Sequence, residues 1–348
     1  MQRRTFISAS LGALGSVFFS PLLEAATIHK GWLNGFKDDQ GRYGIAYIDE
    51  SFNATPLVYT PIRLHGITKH PTKADIVAPA RRPDMQMFVF DMERKALRII
   101  ESDEGRHFYG HGVYSTDGKL FYTTQNAYDE EKGVIGVYDV DQGYKKVAEW
   151  DSGGIGPHEL RLYKNQLIIA NGGILTHPDM GRAKLNIDSM APNLTYLDLA
   201  TGQINNQLSL PQDLHQLSIR HMDVTQDGTV FVGLQDQLEH RRDLPLVWKT
   251  QNGKLQEMTQ PTEGWRIFNG YVGSVCANQN GLCVSSPRGN VVHFWGQKMK
   301  ALAQKDVCGL AQCGKSDFLI TTGAGTIMNF SHNGPHSALH FDNHCTAI

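Results

Sequence analysis

Most of the signatures that commit a chain to a known chemistry are missing here. The five cysteines, Cys276, Cys283, Cys308, Cys313 and Cys345, include no Cys-x-x-Cys, which argues against a thioredoxin-like pair or a zinc ribbon. No Walker loop, Gly-x-Ser-x-Gly elbow, His-Glu-x-x-His helix or haem-binding Cys-x-x-Cys-His occurs, and His158–Glu159 has no second histidine to make it half of a zincin motif. Beyond the first residues no apolar run approaches the roughly 20 residues that cross a bilayer. A formal net charge of −2 leaves no basic footprint for nucleic acid. Long amphipathic helical patterns are absent as well. An odd number of cysteines leaves at least one thiol without a partner. Cys276 and Cys283 flank a turn, and a hairpin there would bring them into range of one another.

What is present begins with a leader. In MQRRTFISASLGALGSVFFSPLLEAA, Arg3 and Arg4 precede Thr5, Phe6 and Ile7, a weakly apolar run extends from Ala9 to Phe19, and the small residues Ala25 and Ala26 follow. This is the layout of a twin-arginine signal peptide over residues 1–26, which exports a protein already folded. An ordinary secretory signal with two arginines is the alternative. The expectation is a periplasmic mature chain, 27–348, forming one domain without a membrane span.

Strand signals fill that domain. FVFDM, KLFYTT, GVIGVYDV, QLIIANGG, LTYLDL, TVFVGL and FLITTG are short, rich in β-branched and aromatic residues, and separated by turns such as TDGK, TQDGT and NQNGL. The segments YGHGVYSTDGKLFYTTQN, GPHELRLYKNQLIIANGG and IRHMDVTQDGTVFVGLQD share one plan: strand, turn, strand, polar loop, then a further strand pair. That is the four-stranded meander of a propeller blade. His65 and His111 are 46 residues apart and His111 and His158 are 47 apart, near the usual blade period. The step from His158 to His221 is 63, the excess being an insertion around ILTHPDMGRAKLN. Further inner strands start near Gly273 and Cys308. The N-terminal WLNGF, YGIAYID and PLVYT supply three strands, and the C-terminal HFDNHCTAI supplies one more inner strand. The sequence therefore predicts an all-β, seven-bladed β-propeller closed by N- and C-terminal strands in one blade. Six blades or an irregular β fold are the alternatives.

The register carries the functional expectation. Inner strands of a propeller begin beside the axis on one face, so His65, His111, His158, His221 and His344 are expected to ring that mouth. Loops on the same face would bring Arg82, Arg106, His177, Arg182 and Arg220, together with Arg81, His107, His215, His240, Arg241, Arg242 and Arg288. Neutral imidazole suits copper, iron, zinc and nickel, and arginine suits an anionic partner. The five histidines are thus candidate metal ligands, and Arg82, Arg106, His177, Arg182 and Arg220 candidate contacts to an anionic ligand or co-ligand. Iron and copper are both candidates: raw affinity favours copper, while export after folding would allow loading in a cytoplasm where copper and zinc are scarce. A purely structural ring of histidines tying blades together is the competing reading. His332, His336 and His340 are placed on turns of the last blade.

Several phrases together resemble one family. ARRPD (80–84), FYGHGVYSTDG (108–118), GVIGVYD (133–139), GIGPHELRL (154–162), IANGGILTHPDMGRAKLN (169–186), LHQLSIRH (214–221) and FDNH (341–344) are similar to the exported bacterial proteins catalogued as domain of unknown function 1513. The resemblance implies a periplasmic propeller-like domain. It also implies a neighbourhood of iron-regulated, imelysin-like uptake proteins as partners, without implying a reaction.

Three functions remain open at this level. One is a periplasmic metal-binding propeller in iron or copper handling. Another is a metal-dependent hydrolase or oxidoreductase at the same mouth. The third is an interaction scaffold for a periplasmic iron-uptake component, with the histidines structural.

Overall fold

A computed structural model describes residues 18–19, 30–181, 183–238 and 242–348. Most of the expected signal peptide, Arg182, His240 and Arg241 therefore lie outside the described residues. The chain forms seven antiparallel sheets in sequence order, a seven-bladed β-propeller. Four blades are meanders of four strands whose innermost strands are Arg106–Tyr114, Pro157–Tyr163, Leu217–Val224 and Ser274–Asn278. A fifth begins with the short strand Thr68–Lys69, and a sixth, from Val307, has three strands.

The remaining blade closes the ring as expected. The last strand, Leu339–Ala347, pairs with Trp32–Asp38, which continues through Tyr43–Ile48 to Ala54–Thr60. Its seam is reinforced by Arg63, whose Nε and Nη2 donate to the two carboxylate oxygens of Asp342 at 2.6 and 2.8 Å. Closure sets the last blade beside the first and leaves only short, protected strand edges at the axis.

Local sequence explains the layering within each blade. Second strands such as Gln166–Asn171 are buried along almost their whole length, as strands covered on both faces must be. The outermost strand Lys145–Asp151 alternates exposed and half-buried residues, the period-2 pattern of a strand with one wet face. Turns at the face away from the histidines are built by short polar side chains. In the turn after Ser115, Asp117 accepts from the Lys119 amide at 3.1 Å while Gly118 takes a φ of +73°, a conformation glycine adopts without penalty. Apolar side chains fill the spaces between neighbouring blades. The largest such cluster joins Ile168 and Leu194 of one blade to Ile219, Val232 and Trp248 of the next, and on to Val284 and Trp295.

The five cysteines are free thiols. Cys276 and Cys283 do oppose each other across the expected hairpin, but pairing of the strands has not joined them.

Candidate metal centre on the propeller axis

Four of the five ring histidines stand at an irregularity of their innermost strand. Pairing slips between Pro157 and Glu159 around His158, between Ile219 and His221, between Phe108 and Gly112 around His111, and between Phe341 and Cys345 around His344. A β-bulge adds residues on one strand and re-aims the side chains there. Here the bulges turn inward one residue near a strand start, His158, and three from within their strands, His111, His221 and His344, which were expected at the starts. His65 precedes its strand and is drawn in by backbone contact. The Gly66 amide donates to Gly110 O at 2.7 Å. Gly110 has a φ of +102°, and a Cβ there would lie 2.7 Å from His65 Cδ2, so only glycine permits this approach.

The five rings form one cluster. His344 packs 4.3 Å from His65, 4.5 Å from His111 and 4.9 Å from His221, measured between centroids. His65 and His111 are 4.7 Å apart, His111 and His158 5.0 Å, and His158 and His221 4.8 Å. His65, His111, His158 and His221 are buried, and the Nε2 of the half-buried His344 is shielded. One ring nitrogen of each is buried without a hydrogen-bond partner in the protein: Nδ1 of His65 and His158, and Nε2 of His111, His221 and His344.

Burial, then the charges of neighbouring groups, holds all five well below the ordinary imidazole range. The rings are therefore neutral at pH 7, the state in which imidazole binds metals. A buried polar atom left unpaired costs about 1–3 kcal/mol. Five of them would rival the whole stability of a domain, about 5–15 kcal/mol. The donor set consequently fits a Lewis acid at its centre. The candidate ligand atoms of His65, His111 and His158 lie within 4.8 Å of one another, as do those of His158, Glu159 and His221. Metal–nitrogen bonds of about 2.0–2.1 Å would require roughly 3.4 Å between tetrahedral ligands, so each of these groups of three would have to draw inward to hold an ion.

A carboxylate supports the cluster from one side. Glu159 is pushed up by burial, yet Arg161 and the Met222 amide favour its charged form and leave its carboxyl below the usual range. The resulting carboxylate Oε2 accepts from the Met222 amide at 3.1 Å and lies 3.3 Å from His221 Nδ1. That contact places the His221 hydrogen on Nδ1 and frees the lone pair of Nε2, the usual arrangement behind a metal-bound histidine. Arg161 holds the other oxygen of Glu159 at 2.5 Å and also lies 3.7 Å from Asp223. The ring thus adjoins a chain of alternating charge that runs from the buried Glu159 to the half-buried Arg161 and Asp223.

The predicted anion contacts separate into distinct groups. Arg220 reaches the cluster, donating from Nη2 to His158 Nε2 at 2.7 Å. Arg82 lies on the same side, its Nη1 donating to the Tyr109 hydroxyl at 3.1 Å. His177 caps a short helical turn by accepting from the Asp179 amide at 3.2 Å and packs edge-on against Tyr128. Arg106 is not brought to the axis. Its guanidinium reaches Glu149 on the outermost strand and also Glu130, which raise its pKa against the opposing effect of burial. Arg182 lies outside the described residues. His107 is buried between Tyr109 and Tyr128, and burial lowers its pKa to about 4. His340, expected on a turn, instead lies in the last strand and contacts Asp39.

Sequence reasoning passed over Glu159, Arg161, Asp223, Tyr109, Tyr271 and Lys184. Alternation would send Glu159 to the opposite face from His158, and only the bulge between them reverses that. Buried histidines away from the axis are held differently. His70, for example, accepts from the Thr72 and Lys73 amides at 3.1 and 2.9 Å.

Similarity to solved structures concerns the fold. A catalytically inactive virginiamycin B lyase from Staphylococcus aureus with quinupristin is 11% identical, with a TM-score of 0.58, covering 88% of this chain and 96% of that one. A streptogramin B lyase is 14% identical with a TM-score of 0.53, covering 80% and 82%. A chain of the mitotic checkpoint complex is 13% identical with a TM-score of 0.55, covering 82% and 79%. No curated protein matches the sequence. Residues 58–348 match the model of a family described as a protein of unknown function, DUF1513.

Proposed function

We propose that this chain, which belongs to the DUF1513 family, holds a transition-metal ion on the propeller axis through His65, His111, His158, His221 and His344. The observation that carries this reading is the convergence of five buried imidazoles, each with a ring nitrogen unpartnered by protein. An all-imidazole set suits iron, copper, zinc or nickel. Glu159 would offset part of the metal's charge and orient His221.

The protein would serve iron handling, or copper handling, in the periplasm after twin-arginine export. Imelysin-like uptake proteins are the proposed partners. Arg82 and Arg220 on the mouth side would hold an anionic co-ligand, since arginine recognises carboxylates and related anions by paired hydrogen bonds. When bound, the metal would supply a strong Lewis acid to that co-ligand.

The test is metal content and uptake. Protein exported in its own host and purified without added metal should carry about one equivalent of a single transition metal. His111→Ala and His158→Ala should lose or weaken it while circular dichroism remains that of the folded propeller. Native protein that contains no metal and takes up none on titration would contradict the proposal.

A further inference from the structure

Arg220 sits where it occupies one member of the ligand set. A guanidinium carries donors only, so His158 Nε2 gives its lone pair to the 2.7 Å hydrogen bond from Arg220. The neutral ring then bears its hydrogen on Nδ1. In this arrangement His158 has no lone pair left for a metal, whereas His221 has one on Nε2.

The surroundings of Arg220 favour a second position for it. Its Nε is buried without a partner, and no carboxylate among the described residues pairs with it. Burial, with Arg82 and Arg81 opposing the nearby Tyr271 and Tyr109, lowers its pKa to about 10. Each of those phenols carries another cation over its face. Arg82 lies 5.3 Å from the Tyr109 centroid and Arg288 lies 5.1 Å from that of Tyr271. Lys184 enters from the long insertion, donating to Gln237 O at 3.1 Å. Burial and then Arg288, Arg220 and Arg82 depress its pKa, with Asp236 opposing them. Asp236 is itself engaged by Arg242 at 2.6 and 3.1 Å. Four cations from four blades thus share one mouth, and the carboxylate that acts on Lys184 is already paired.

We infer that a divalent oxyanion seated among Arg82, Lys184, Arg220 and Arg288 draws Arg220 away from His158 and releases that imidazole to the metal. The mouth is then a gate that couples anion binding to metal binding. This rests on the metal reading above. Coupling between two sites is reciprocal and commonly amounts to about 5- to 150-fold.

The experiment titrates Co(II) into the full mature chain with and without sulfate, at ionic strength held constant with chloride, and follows the visible ligand-field bands. Sulfate should tighten Co(II) binding about 5- to 150-fold, and Co(II) should tighten sulfate binding by the same factor. Arg220→Ala should bind Co(II) more tightly than the native chain in the absence of sulfate, and sulfate should add nothing further. Lys184→Ala combined with Arg288→Ala should abolish the sulfate effect, which guards against misfolding of the Arg220 variant. Equal Co(II) affinity with and without sulfate in the native chain, or no gain in Arg220→Ala, overturns the gate and leaves the metal site standing. Failure of the native chain to bind Co(II) in either buffer overturns both.

Discussion

The imidazole of His344, carried by the last strand of the chain, stands edge-on to that of His65 at 4.3 Å and 88° between ring planes. The first histidine of the ring thus meets the last, and the cluster is complete only when the terminal strand has closed the propeller. His344 also touches His111 and His221. His344→Ala should therefore weaken metal binding more than His158→Ala, whose ring is already held by Arg220. Comparing Co(II) affinities of the two variants checks this. Equal losses would contradict the central place given to His344.

Glu159 is the carboxylate that orients His221. Replacing such an outer partner typically costs 10–100-fold in metal affinity. Glu159→Gln should lower affinity by about that factor. A change of less than twofold would mean that the carboxylate serves only the Arg161 and Met222 contacts.

Stability of the metal-free protein should depend on pH in a defined direction. The five ring histidines have folded pKa values well below the ordinary value, about 6.5 in an unfolded chain. Below that pH the unfolded state takes up protons that the folded state refuses, so stability is full above about pH 6.5 and falls as the pH drops. Each histidine contributes up to about 1.4 kcal/mol per pH unit in that window. Thermal midpoints should fall steeply from pH 7 to pH 5 and less steeply in His111→Ala. A flat profile in the native chain would show that the rings are not buried neutral.

Gly110→Ala probes how the ring is assembled. The substitution places a Cβ against His65 and forces alanine to a φ of +102°, strain of about 1–3 kcal/mol. A loss of stability of at least that size is expected, together with weakened metal binding. Retention of both would mean that His65 is not positioned through Gly110.

The ring was legible in the sequence because the blade period is a local property, although His111, His221 and His344 stand within their strands rather than at the starts expected for them. His65, His111 and His158 recur at nearly the blade spacing, and the FDNH segment repeats the pattern at the chain's end. What stayed hidden depends on contacts across blades. Nothing near Arg106 in sequence singles out Glu149 on the outermost strand as its partner, so the arginine read as a mouth residue. The bulge at His158 is a property of strand pairing, so Glu159 seemed to face away from the axis. The hydrogen bond from Arg220 to His158 joins neighbouring blades across the long insertion, and no spacing rule marks it.

X-ray absorption spectroscopy of the protein purified from its own host, without added metal, tests the central claim most directly. The account predicts a transition-metal edge with a nitrogen shell near 2.0–2.1 Å and the multiple scattering of several imidazoles. A shell of sulfur or of oxygen alone, or no metal edge at all, would contradict it.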